Sequence, residues 1–167
     1  MALLAASRET NIAKSLTAYL AAQLVTGAGL TVVFPGQPVP SRYPVRWVEF
    51  TYQPLAPAQY FPTTTNGRGH LAQWLVNGNC MEEVSSRIDG TGDATMYSLL
   101  GLCLSVRNAL LVSQRIAIRD YDTGGNPQVG TMRIQQQSGR QVTDRNPLGV
   151  AVWNVSAIGL YQEEFTV

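Results

Sequence analysis

Apolar residues at helical spacing predict the first element of the chain, a helix from Asn11 to Val25. Thr10 is a candidate N-cap for this helix, because its hydroxyl can accept a hydrogen bond from a free backbone N–H of the first turn. Gly27 and Gly29 favour its end, since glycine readily adopts the left-handed conformation that follows many helices. The apolar residues that share one face are Ile12, Leu16, Tyr19, Leu20 and Leu24.

Short β-branched or alternating runs predict six strands in two groups of three. The first group consists of Leu30–Phe34, Val45–Tyr52 and His70–Cys80. The second group consists of Arg115–Tyr121, Thr131–Gln137 and Val150–Phe165. Turn residues separate these runs, and the predicted turns are Pro35-Gly36, Asp122–Gly125 and Ser138-Gly139.

A second helix is predicted between the two groups, from a cap at Asp93 to about Leu111. The residues expected to face the sheet are Met96, Leu100, Cys103, Leu104, Arg107 and Leu110 or Leu111. The order α-β-β-β-α-β-β-β predicts an α+β fold, in which a mostly antiparallel sheet carries both helices on one face. The length of 167 residues fits a single domain over residues 1–167.

The segment from Leu55 to Gly69 interrupts this regular order, because it is rich in Pro, Thr and Gly. It predicts either a long loop or the tip of a projecting hairpin at about residues 55–69, and long loops in compact domains are often functional. A partner interface is the role expected for it, with aromatic anchors inside the segment and arginines in and before it. The candidate interface residues are Arg42, Arg46, Tyr60, Phe61 and Arg68.

Composition favours a protein that spends its time in contact with other subunits. Charged residues make up 14% of the chain, against about 25% in typical soluble domains. Lys14 is the only lysine, and lysine is depleted at interfaces where arginine is enriched. The net charge of +1 argues against a nucleic-acid-coating protein, and no apolar run approaches the roughly 20 residues of a membrane span. Cys80 and Cys103 lack metal-site spacing, and no cofactor is expected.

One motif suggests catalysis. The tripeptide Asp122-Thr123-Gly124 matches the one that supplies the paired carboxylates of aspartic proteases. Those carboxylates follow a buried apolar strand, whereas Arg119, Asp120 and Tyr121 precede this one, so a solvated turn is the preferred interpretation. We therefore expect no enzyme, and a small aspartic-type hydrolase is the distant alternative.

The layout resembles the tail terminator (tail completion) proteins of long-tailed bacteriophages, the family of the lambda tail terminator. Four stretches carry the resemblance. The first is the opening helix that leads to Leu30–Phe34, and the second is the strand pair of residues 45–50 and 71–76. The third is the second helix, with residues 102–110, which passes into residues 115–121, and the fourth is the terminal strand Ala151–Tyr161. The likeness covers nearly the whole chain. The long segment at residues 55–69 is a departure from the family's pattern, so the role is transferred without any specific functional residue.

The resemblance implies a structural virion protein, made in the host cytoplasm and located in the tail or neck. Such a protein forms a hexameric ring at the head-proximal end of the tail tube, ends tube polymerisation and offers a surface for head joining. Its expected partners are copies of itself, the tail tube protein and a head–tail connector, with no membrane and no sequence-specific nucleic acid, although DNA could pass through the ring lumen. The alternatives are a head–tail connector or neck protein, a minor capsid or decoration protein, and a small-molecule binding module.

Overall fold

The computed structural model describes residues 5–24, 30–38, 46–55, 59–62, 67–83, 93–142 and 150–166. It contains two helices and seven strands within these ranges. In chain order they are α1 (Ala5–Gln23), β1 (Leu30–Val33), β2 (Arg46–Pro54), β3 (Gln59–Pro62), β4 (Gly67–Glu83), α2 (Asp93–Ala109), β5 (Arg115–Arg119), β6 (Gln128–Val142) and β7 (Val150–Thr166).

All seven strands belong to one curled sheet with the order β1-β2-β4-β7-β6-β5, and β3 pairs with β4 outside this path. The pairs within the path are antiparallel except β1 with β2, which run parallel from Leu30 opposite Arg46 to Val33 opposite Glu49. The longest pairing joins β4 and β7, from Gly67 opposite Thr166 to Glu83 opposite Val150. These two strands form the middle of the sheet.

The predicted α+β class is wrong, because the fold is dominated by one mixed sheet in which a parallel pair, β1 with β2, joins the antiparallel pairs. The sheet is mixed, and residues in strands outnumber residues in helices about two to one. The prediction assumed short hairpin connections, but residues 34–45 separate β1 from β2. A connection of a dozen residues is long enough to return the chain for a parallel pair. The element order agrees only roughly, because four strands precede α2 instead of three.

Alternate residues of the central strands form one apolar face, and both helices contribute to the core on it. The register places Cys80, Val76 and Trp74 of β4 beside Trp153, Ala157 and Gly159 of β7. Buried residues of α1 and α2 join the same cluster, which also includes Val48, Phe50, Ile116, Ile118, Met132, Ile134, Val155 and Tyr161. The strands therefore have the core on one face, and the opposite face is called the outer face below.

Helix α1 also covers the C-terminal end of the β5 edge. The backbone N–H of Arg119 donates to Ser15 Oγ at 2.9 Å, and that of Tyr121 donates to Asn11 Oδ1 at 3.1 Å. The intervening N–H of Asp120 points the other way and donates to the carbonyl of Pro127 at 2.9 Å. Polar side chains of a helix thus satisfy backbone donors that an edge strand would otherwise leave unpaired.

The sheet-facing residues predicted for α2 are wrong, because a different side of the helix faces the sheet. The helix buries Leu99, Leu102, Cys103, Val106 and Ala109, and Leu110 just after it is also buried. Leu100, Leu104 and Arg107 are exposed instead. Only Cys103 and Leu110 of the predicted stripe are found buried, and the side chain of Met96 lies outside the described residues.

A glycine in the sheet brings α2 close to β4. A Cβ atom at Gly78 would lie 3.0 Å from the Phe50 ring and 3.2 Å from Val106 Cγ1. Distances below 3.4 Å are tighter than most Cβ contacts in proteins, so a side chain here would displace its neighbours. Val106 occupies this space, which fixes the buried face of α2.

Several local predictions can be compared directly. The turn at Pro35-Gly36 is confirmed, with Gly36 at φ 85° and a hydrogen bond from Gln37 N to Phe34 O of 3.0 Å. Thr10 is not an N-cap, because α1 begins at Ala5. The turn at Ser138-Gly139 is wrong, because β6 continues to Val142 after an irregularity between Ile134 and Gln136. Gly27 and Gly29 lie outside the described residues.

Candidate functional site

The outward face of α2 carries a line of exposed apolar residues. Leu100 and Leu104 lie one turn apart and are 38% and 47% exposed, while Leu111 and Val112 just beyond the helix are 48% and 50% exposed. The only charged residue between them is Arg107. Neighbouring exposed apolar side chains mark interaction surfaces more often than single ones do. We call Leu100, Leu104, Leu111 and Val112 the leucine ridge.

A shallow groove of about 550 Å³ lies along the outward face of α1. Its lining includes the small side chains of Ala13, Ala18 and Ala21 together with Pro35 and Tyr52. These five residues define the alanine groove. Its described lining includes a single charged side chain, that of Lys14, whose Nζ lies 5.7 Å from the centre of the Tyr121 ring.

Tyr52 is held in place at the side of the alanine groove. Its hydroxyl lies 3.3 Å from Thr17 Oγ1, so the two hydroxyls can share a hydrogen bond between β2 and α1. Burial raises the pKa of Tyr52 to about 12, against a smaller opposing effect of the Thr17 contact. The phenol therefore stays neutral at ordinary pH. Its ring gives the groove an apolar surface, and its hydroxyl has a hydrogen-bond partner in Thr17.

The middle of the outer face carries a polar network between β4 and β7. Asn154 Nδ2 donates to Asn79 Oδ1 at 2.7 Å, and Ser156 Oγ lies 2.7 Å from both Asn77 Oδ1 and Asn154 Oδ1. These residues are half-buried and lie opposite each other in the register. Their polar atoms satisfy one another, which makes this a fixed polar surface without a group suited to covalent chemistry.

Two arginines oppose each other at the β5 side of the outer face. Arg115 of β5 pairs with Arg133 of β6, and both side chains are exposed. They line a groove of about 900 Å³ that also includes Ser113, Thr131 and Leu160. Arg133 Nη2 lies 3.4 Å from Ser113 Oγ. We call this the arginine groove. Its described lining contains no carboxylate.

Ser113 has an unusual backbone conformation at the rim of this groove. Its φ of 74° lies in the left-handed region, which few residues other than glycine adopt. Its N–H donates to the carbonyl of Ile134 at 2.7 Å, and Ile134 N donates to Gln114 O at 3.0 Å. These bonds to β6 hold the strained residue in place, so the hydroxyl is fixed beside Arg133.

The predicted interface residues are not brought together in one described surface. Arg42 lies outside the described residues. Arg46 is half-buried and its Nε lies 3.4 Å from Glu82 Oε2, so it forms an ion pair within its own chain. Tyr60 and Phe61 lie in β3 opposite His70 and Gly69, and the backbone of Arg68 pairs with Pro62 and with Phe165. The interface assignment stays a prediction.

Asp122, the carboxylate of the protease-like tripeptide, is exposed in the turn after β5. The buried carboxylate is Asp120, which is 6% exposed and accepts hydrogen bonds from Thr123 Oγ1 at 2.6 Å, Asp122 N at 2.9 Å and Asn11 Nδ2 at 3.1 Å. These bonds, the one from Thr123 first, hold the pKa of Asp120 below its usual value. Asp120 thus organises the turn and anchors α1.

Cys80 of β4 and Cys103 of α2 are buried free thiols within the core. Contact with Cys103 together with burial raises the pKa of the Cys80 thiol. A raised pKa and a buried position make a thiol a poor nucleophile. Cys80 is therefore a packing group at the contact between helix and sheet, and Cys103 is buried beside it.

Across the described ranges, no three His, Cys, Asp or Glu side chains lie close enough together to hold a metal ion. In the same part of the chain, neither helix combines the length and the apolar character needed to cross a membrane. No protein-family model matches the chain, and no curated protein matches it either.

Sequence reasoning missed both the leucine ridge and the arginine groove. The leucines of α2 occupy two faces, and helical spacing alone does not indicate which face meets the sheet. The opposition of Arg115 and Arg133 depends on the β5–β6 register, which the sequence does not specify. The excess of arginine over lysine was the one available signal for the arginine groove.

Proposed function

We propose that this chain is a structural assembly subunit that forms a closed ring at the head-proximal end of a bacteriophage tail tube. The observation that carries the proposal is the leucine ridge on α2, whose members are 38% to 50% exposed. Leaving several large apolar side chains in water has a cost that burial in a subunit contact removes. Four exposed large apolar side chains within and just after one helix favour an assembly role over that of a free monomer.

The alanine groove is the surface we propose to receive the leucine ridge of the next subunit. The large apolar side chains of the ridge could pack against the small apolar alanines of the groove. Because the two surfaces differ and lie on different helices, the contact between copies would be head-to-tail. A head-to-tail contact whose rotation closes produces a ring.

The position at the end of the tail tube rests on the resemblance described above and on the ring geometry. A ring that ends polymerisation must match the tube on one side and present a different surface on the other. The two sides of this sheet differ in this way, because one carries the Asn and Ser network in its middle and the other is covered by the helices. The proposed partners are the tail tube protein and a head–tail connector, and the proposed location is the virion.

Native mass spectrometry of the wild-type protein and of a Leu100→Gln/Leu104→Gln variant tests ring formation. We expect a hexamer for the wild type and a folded monomer for the variant. Ala117→Gln is the matched control, because Ala117 is also exposed but lies on β5 and belongs to neither the leucine ridge nor the alanine groove. A wild-type protein that stays monomeric, or a double variant that still forms rings, would contradict the proposal.

A second experiment separates a tail terminator from a connector. Tail tube subunits are allowed to polymerise in the presence of the wild-type ring, and tube lengths are measured by negative-stain electron microscopy. A terminator should shorten the tubes and appear as a cap at one end. Unchanged tube lengths, together with binding to the portal side of the head, would favour the connector instead.

A further inference from the structure

We propose that the arginine groove binds an extended acidic segment of a partner protein, with Arg115 and Arg133 as the residues that hold its carboxylates. This inference does not depend on the ring or on the phage assignment. It rests on the register of β5 and β6, on the lining of the groove and on its charge.

The opposition of the two arginines is unfavourable in the isolated chain. Residues directly opposite in an antiparallel pair have Cβ atoms about 5 Å apart, and like charges at such positions destabilise the sheet. Among the described residues, neither Arg115 nor Arg133 has a carboxylate partner, and the contact of Arg133 is with the uncharged Ser113. An incoming carboxylate between the two guanidinium groups would turn this repulsion into attraction.

The remaining lining fits a peptide in its polarity. Gln135 offers a donor and an acceptor for a peptide backbone, while Leu160 and Val112 offer apolar contacts. Gln128 Nε2 already donates to the carbonyl of Gly130 and to Thr131 Oγ1, at 3.3 Å each, which leaves its Oε1 as an acceptor. A segment with alternating acidic and apolar residues would place both kinds of side chain in suitable surroundings.

The charge of the whole chain favours an acidic protein segment over a nucleic acid. The net charge is +1, whereas nucleic-acid binding surfaces carry many cations along a phosphate track. The described lining of the groove includes two arginines and no lysine. Arginine binds carboxylates through paired parallel hydrogen bonds, which suits a small number of specific contacts.

Fluorescence anisotropy with labelled probes tests the proposal. The first probe is a short peptide of alternating glutamate and leucine, the second has glutamine in place of each glutamate, and the third is a single-stranded oligonucleotide. We expect binding of the glutamate peptide that weakens with added salt, and binding at least about tenfold weaker for the glutamine peptide. Tighter binding of the oligonucleotide than of the glutamate peptide would overturn the proposal.

Variants locate the binding site. The double variant Arg115→Glu/Arg133→Glu should bind the glutamate peptide about tenfold or more weakly than the wild type, because two attractive charge contacts become repulsive. Arg140→Glu is the control, since Arg140 is exposed on the same strand as Arg133 but does not line the groove. An equal loss in the control, or no loss in the double variant, would overturn the assignment. Circular dichroism establishes that both variants are folded, and Arg115→Gln gives a milder second test.

Discussion

Leu102 and Leu104 lie two residues apart in α2, yet Leu102 is 5% exposed and Leu104 is 47% exposed. Two residues on a helix differ by about 200° in direction, so the two side chains point to opposite sides. Leu102 packs into the core with Cys103 and Val106, and Leu104 belongs to the leucine ridge. The same residue type therefore serves folding at one position and, in our proposal, assembly at the other.

Truncation of these two leucines should separate folding from assembly. Leu102→Ala should lower the free energy of unfolding by about 2–5 kcal/mol, as expected for loss of a buried leucine. Leu104→Ala should change the stability of the monomer by about 0.5 kcal/mol or less, as for most surface substitutions. Urea denaturation at low protein concentration measures both. Equal destabilisation by the two substitutions would show that the buried face of α2 is misassigned.

Replacement of glycine by alanine should have opposite effects on stability at two positions. A Cβ atom at Gly130 would lie 2.6 Å from the Tyr161 ring and 2.7 Å from the carbonyl oxygen of Gln162, and a backbone atom cannot move away cheaply. Gly130→Ala should therefore destabilise by about 1–3 kcal/mol through overpacking. Gly101 in α2 has open space around it, so Gly101→Ala should stabilise by about 0.5–1 kcal/mol through helix propensity. Thermal denaturation of both variants shows whether each substitution raises or lowers the Tm.

Acid stability should depend on Asp120. Its pKa is lowered in the folded protein, so its contribution is present above the unfolded value of about 3.9 and is lost as pH falls through the folded value. Asp120→Asn should lower the Tm at pH 7 and flatten its decline below about pH 4. Asp122→Asn, which alters an exposed carboxylate of the same turn, should retain the wild-type profile. If the Tm of Asp120→Asn depends on pH as that of the wild type does, Asp120 does not anchor α1.

Alkaline stability should depend on Tyr52. The pKa of its phenol is raised to about 12 in the folded protein, so its contribution is present below the unfolded value of about 10 and is lost as pH rises towards 12. Tyr52→Phe should reduce the fall in stability between these values. Tm measured at several alkaline pH values tests this, and an unchanged slope in the variant would assign the fall to other groups. Tyr121→Phe is a suitable comparison, because Tyr121 also lines the alanine groove.

The parts of the fold that the sequence predicted are those where local pattern and burial agree. The terminal strand was expected over Val150–Phe165 and is observed over Val150–Thr166. Its buried Val155, Ala157 and Tyr161 alternate with less buried residues, which is the period of a strand. The turn after β5 was predicted from Asp122 to Gly125, where Gly125 has a φ of 84° that glycine accepts without strain.

The sequence-based predictions are wrong where tertiary contacts, and not local sequence, determine the structure. The chain direction of β1 relative to β2 depends on a long connection, and nothing in Leu30–Val33 indicates its partner. The sequence predicts a turn at Gly139, but this residue lies inside β6 and is paired with Val155, where a Cβ atom would lie 3.2 Å from Trp153 Nε1. A glycine that admits a neighbouring ring looks the same in sequence as one that turns the chain.

The hydrogen bonds from Arg119 and Tyr121 to α1 have a consequence for how strands could be shared between subunits. A foreign strand that approached the β5 margin would meet a helix whose side chains already accept the backbone N–H groups there. At the opposite margin, β1 has no strand on its outer side within the described ranges. Strand pairing by a neighbouring subunit at the C-terminal end of β5 would therefore require the displacement of α1 from these two N–H groups.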